Sequence, residues 1–243
     1  MDTQDITITI KQFNGSSTPI NCPNNSTIID LKQLLKQHNG YEQTHFRFFK
    51  CGSENHLKDN FVLENELILF ALPFNPIPNK DTLKEFIEKV NTNTFTEELI
   101  LEYGIISDWD VTLITDMRDL FKDMIIFNEN INDWDVSNVI NMYCMFENAT
   151  SFNKEVNNWN VSNVTNMSRM FENATNFNQP INNWDVSNVT DMCCMFYRAP
   201  DFNHPINNWN VSNVTDMCCM FKNATNFNQP INNWNVSNVT CYD

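Results

Sequence analysis

Any chemistry in this chain would have to come from its eight cysteines, its four histidines and a recurring set of aspartates and asparagines. Cys193-Cys194 and Cys218-Cys219 are adjacent pairs one 25-residue period apart, and Cys144 shares a slot with Cys194 and Cys219. Thiolates bind soft metals, but structural zinc sites use C-x-x-C spacing, and the chain has none. Adjacent cysteines on a helix point in different directions. No metal is therefore expected, and the thiols are expected to be reduced, as in a cytosolic protein. His38, His45, His56 and His204 are scattered. No Ser/His/Asp arrangement, Gly-rich phosphate loop or H-E-x-x-H accompanies them. The expectation is a protein that is not an enzyme and takes no cofactor.

The elements that would position these residues are set by an internal repeat. The six tryptophans, Trp109, Trp134, Trp159, Trp184, Trp209 and Trp234, are always 25 residues apart. The unit reads F-N-x-x-I-N-N-W-[DN]-V-S-N-V-T-[DN]-M-x-x-M-F-x-x-A-x-x, with one clean copy at 177–201. Trp184 and Val186 alternate as in a strand, and Ser187-Asn188 reads as a turn. Thr190 reads as a helix N-cap, with Met192, Met195, Phe196 and Ala199 on one helical face. Each unit is expected to be a short strand, a turn, a short helix and a return loop, stacked so that neighbours bury one another's apolar faces. Trp shares a face with Val, so the tryptophan column is read as core, against a reading as exposed rings that stack on sugars. Asn128, Asn153, Asn178, Asn203 and Asn228 are expected to form a buried amide ladder that satisfies turn backbone.

The motif Trp-[Asp/Asn]-Val-Ser-Asn-Val-Thr-[Asp/Asn]-Met-x-x-Met-Phe, recurring over about 130 residues, resembles the repeats of BspA-like surface proteins, relatives of leucine-rich repeats. Mycoplasma lipoproteins and giant DNA viruses of protists carry similar arrays. The resemblance implies a right-handed parallel β/α solenoid used for binding or surface display, and brings no catalytic residues. Residues 80–104 are expected to form two helices that cap the solenoid's first end, and 105–243 the array itself, its last repeat incomplete.

Residues 1–72 do not share the repeat. Ile6–Ile10 and Pro19–Cys22 read as a hairpin, Ile28–Gln37 as a helix, Phe46–Phe49 and Glu66–Leu72 as strands. With Leu31-Lys32, Arg47 to Gly52 and Leu57-Lys58-Asp59, this order resembles a ubiquitin-like β-grasp domain. The resemblance implies either a pure folding unit or an adaptor read near Phe49. Residues 73–79 are a Pro-rich linker. The expected fold class is thus a β-grasp followed by a leucine-rich-repeat-like solenoid.

The side of the repeat opposite Trp and Val carries Asp110, Asp135, Asn160, Asp185, Asn210 and Asn235. This polar strip is either a solvated face or a recognition surface for a basic or hydrogen-bonding protein; a calcium site would need six to eight oxygens in one place. The chain has 15 basic and 30 acidic residues, a net charge of -15. That excess argues against nucleic acid and anionic membranes as partners. The absence of a run of about 18 apolar residues argues against a transmembrane helix. The N-terminus lacks the pattern of a secretory signal. The expectation is a protein-interaction module in the cytoplasm, the host cytoplasm if viral. The alternatives are an adhesin-like display protein and a truncated repeat product that self-associates through an open C-terminal end.

Overall fold

The computed structural model describes residues 5–11, 17–35, 46–50, 62–63, 68–73 and 75–241. The chain divides into two compact units, Met1–Asn75 and Pro76–Asp243.

In the first unit, β1 (Ile6–Lys11) pairs antiparallel with β2 (Ser17–Cys22). After α1 (Ile28–Leu35) come β3 (Phe46–Lys50) and β4 (Ile68–Pro73), which pair antiparallel, and β4 lies parallel to β1. The strand order is β2-β1-β4-β3. Alternation places Ile6, Ile8 and Ile10 in a core with Ile20, Ile28, Leu31, Leu35 and Phe48. Helix α1 starts where it does because Asp30 Oδ2 accepts the Thr27 N–H at 2.7 Å and its hydroxyl at 2.8 Å. Those bonds hold the Asp30 carboxyl below the ordinary carboxylate range.

The second unit opens with α2 (Lys80–Asn91) and α3 (Glu97–Tyr103). Asn79 caps α2 and Thr96 caps α3, each accepting a backbone N–H three residues on. Gly104 ends α3 at φ 84, a conformation a side chain would resist. Phe86 and Phe95 then lie against the ring of Trp109, with centroids 5.9 and 5.3 Å away, and cover the first rung.

Six rungs follow. Phe121, Phe146, Phe171, Phe196 and Phe221 stack ring on ring at 4.9–5.7 Å. Phe127, Phe152, Phe177, Phe202 and Phe227 do so at 5.9–6.0 Å. Together with Trp, Val, Ile and Met they form one continuous core.

The fold class expected from the sequence is corrected here. A parallel β/α solenoid does not describe the array, because among the described residues the rungs contain no strand and no helix beyond a three-residue 3-10 turn at Ile106–Asp108. The expected strand is reduced to isolated parallel bridges, Asp116↔Asn141 through Asp216↔Cys241. Val136 O accepts the Val139 N–H and so closes a turn instead of extending a ladder. The expected helix is a run of turns. Met142, Cys144, Phe146 and Asn148 donate their N–H groups to the next rung, while Met145, Glu147 and Ala149 donate back three residues. That alternation requires the left-handed region at two places per rung, Cys144 (φ 53) and Asn148 (φ 60) in this one. Met192, Met195, Phe196 and Ala199 are fully buried either way, so their spacing does not distinguish the two backbones.

The ubiquitin-like β-grasp expected for residues 1–72 is not shown either. Residues 51–61, which hold Gly52 and the Leu57-Lys58-Asp59 motif, lie outside the described residues. What is described is a four-stranded mixed sheet with one eight-residue helix.

Candidate functional site

The residues singled out for binding are first of all turn formers. Oδ1 of Asp110, Asp135, Asn160, Asp185, Asn210 and Asn235 accepts the N–H two residues on, at 3.0–3.2 Å. Asp110 is buried, and the other five are exposed in a row, one per rung. Hydrogen bonds from Ser187 hold the Asp185 carboxyl below its ordinary range. Beside this row runs a second exposed column. Asn138, Asn163, Asn188, Asn213 and Asn238 each donate Nδ2 to a carbonyl 26 residues earlier, at 2.7–2.9 Å. Thr165, Thr190, Thr215 and Thr240 form a third exposed column. One face of the array is thus ruled with amides, hydroxyls and two exposed carboxylates, Asp135 and Asp185, at rung spacing.

Phe49 is not part of this face. It belongs to β3 of the first unit, opposite Phe70, and its side chain lies outside the described residues. The tryptophans are core: Trp109, Trp134, Trp159, Trp184 and Trp209 are all at least 96% buried, and Trp234 is partly so. Sequence reasoning missed what the indole N–H does. From Trp134 to Trp234 it donates to the carbonyl 28 residues earlier, at 2.7–3.2 Å. For Trp109, which has no preceding rung, the Gly104 carbonyl of the cap takes that place at 3.0 Å. Ile or Val stands three residues before each Trp, and its backbone carbonyl accepts the next indole only once the rungs are stacked. The Asn128 ladder is present, Oδ1 of Asn128, Asn153, Asn178 and Asn203 accepting the N–H of the equivalent Asn one rung on at 3.0–3.1 Å, but its members are exposed or half-buried rather than buried.

The family model described as "Mycoplasma protein of unknown function, DUF285" matches residues 89–192 and 176–243, more than half of the chain. The chain belongs to the DUF285 family. Comparison with curated proteins finds no match. The DUF285 match covers the repeat and the end of the cap, and does not reach the first unit.

In this DUF285 array Cys144, Cys194 and Cys219 share one slot of the repeat, and Cys193 and Cys218 the slot before it. Burial pushes the Cys144 thiol up to about 12 and the Cys194 thiol up to about 11, and also raises Cys193. These groups stay protonated at neutral pH, the opposite of what a nucleophile needs. Cys218 and Cys241, on adjacent rungs, are joined sulfur to sulfur, unlike the reduced state expected for all eight. Asp216 lies beside them, the three ligand-type atoms within 4.8 Å of one another. With its two sulfurs paired, the cluster offers a single carboxylate. Buried Glu172 has no hydrogen bond to Oε2, although Arg169 Nη1 lies 3.3 Å away. Burial raises its pKa, opposed by Arg169. Among the described residues no helix is long and apolar enough to cross a membrane.

Proposed function

We propose that the repeat array is a non-enzymatic binding module that holds a protein partner on its ruled Asx, Asn and Thr face. One observation carries the reading. Five Asx residues, Asp135, Asn160, Asp185, Asn210 and Asn235, stay exposed in register although their Oδ1 atoms are already used by the fold. Their remaining oxygens and amides present a repeating hydrogen-bonding edge with negative charge at two rungs. From residue 106 onward the sequence has six basic and 16 acidic residues, a net of -10, which suits a basic or donor-rich protein and disfavours nucleic acid.

The test is affinity capture with the full chain and with Asp135→Asn/Asp185→Asn and Thr165→Arg/Thr190→Arg variants. Asn already occupies the first position on other rungs, so the first variant removes charge and keeps the turn. A partner held by wild type, weakened by the Asn variant and lost with the Arg variant supports the proposal. The same proteins recovered at the same level by all three would overturn it.

A further inference from the structure

We infer that Cys218 and Cys241 form a reversible thiol-disulfide latch that fastens the sixth rung to the fifth. Cys241 departs from the repeat, and Cys218 stands across from it on the preceding rung. Cys241 stands where the preceding rungs have Asp116, Asn141, Asn166, Asp191 and Asp216. In those rungs Oδ1 accepts the N–H two residues on, at 2.9–3.0 Å. A cysteine cannot close that turn. Its sulfur instead reaches back across the Asp216↔Cys241 bridge to Cys218, whose slot holds Arg118, Tyr143, Ser168 and Cys193 in the first four rungs; only Cys218 faces a cysteine in the Asx slot of the next rung. The Cα atoms are 5.2 Å apart, within the span a disulfide bridges.

The link sits on a rung whose Ile, Trp and Val are less buried than those of the rung before it. Val236 is 36% exposed against 1% for Val211, and Ile231 and Trp234 are only partly buried while Ile206 and Trp209 are core. In its backbone bonding to the fifth rung the sixth has Thr240 N–H to Thr215 O. Both sulfurs belong to partly exposed residues, open to a small disulfide. With glutathione disulfide as oxidant the step balances. One cysteine thiolate attacks a glutathione sulfur, forms a mixed disulfide and releases one glutathione thiolate. The second cysteine thiolate attacks the protein sulfur of that mixed disulfide and releases the other. Two electrons pass to glutathione, and the two protons lost by the cysteines end on the two glutathione thiolates.

The test equilibrates the full chain in glutathione buffers from reducing to oxidising, traps thiols with an alkylating agent and maps the peptides by mass, with hydrogen exchange measured across 226–241. The expected result is a Cys218–Cys241 peptide that appears with oxidation and disappears with dithiothreitol. Amide exchange over 231–241 should slow by about tenfold or more in the oxidised form. Cys218→Ser and Cys241→Ser should exchange like reduced wild type under both conditions. Alkylation of both cysteines in oxidised buffer, a link from either to Cys193, Cys194 or Cys219, or identical exchange in the two redox states would each overturn the latch.

Discussion

Replacing Trp184 by Phe tests whether the array is held together by its indoles. Trp184 is 3% exposed, its Nε1–H donates to Val156 O at 2.9 Å, and its ring lies parallel to Trp159 with centroids 6.3 Å apart. Phe keeps an aromatic ring in the column but removes the donor and the second ring. Val156 O still accepts the Trp159 N–H, so the carbonyl is not orphaned. The lost hydrogen bond therefore costs about 1 kcal/mol and not the larger penalty of an unsatisfied buried group. The vacated volume adds about 1–2 kcal/mol, because neighbours stacked above and below cannot close in. A loss of about 2–3 kcal/mol is a large fraction of the 5–15 kcal/mol typical of a folded domain. Trp234→Phe is the internal control. Its indole makes the equivalent bond at 3.0 Å, but the ring is only partly buried, so the cavity contribution shrinks and the total should fall to about 1 kcal/mol. Urea unfolding followed by circular dichroism measures both. Equal costs at the two positions, or a Trp184→Phe cost below about 0.5 kcal/mol, would refute the claim that burial and indole bonding act together in the core.

Arg198 sits at φ 54 in a slot where other rungs carry Asp123, Asn148, Asn173 and Asn223; Arg198→Asn should raise the urea midpoint, by about 0.5–1 kcal/mol in stability, and Arg198→Ala should not. Asp185 has a depressed folded pKa, so its contribution is present above the unfolded carboxylate range and lost as pH falls through it; Asp185→Asn should flatten that part of the pH–stability curve, measured as urea midpoints between about pH 3 and 7. Glu172 has a raised folded pKa, so its burial is a penalty that appears as pH rises through the carboxylate range; Glu172→Gln should be more stable than wild type at neutral pH, with the difference shrinking in acid. Asn163→Ala removes the Nδ2 bond to Ser137 O and should cost about 1 kcal/mol by the same assay without altering the charge of the face.

The repeat by itself determined which side chains are buried. A 25-residue spacing of Trp, Ile, Val, Met and Phe admits one register, and columns such as Ile181, Val186 and Phe196 are core as the pattern requires. The second cap helix was legible too, because Thr96 is a local hydrogen-bond acceptor whose effect ends within one turn. Five of the six Asx residues of the outer column were legible from their alternation with Trp and Val, whereas Asp110 is buried.

The tertiary structure alone decided the backbone. Spacing at i, i+3, i+4 and i+7 buries the same four side chains in a helix or in a succession of turns. The choice rests on where the N–H groups go. A helix satisfies them within the unit, whereas a neighbouring rung offers carbonyls at stacking distance, and here alternate N–H groups take them at the cost of two left-handed residues per rung. The same holds for the indole bonds and the Cys218–Cys241 link, which join residues 28 and 23 positions apart. Such contacts exist only once one rung lies on another, so no local pattern within a single unit could have disclosed them.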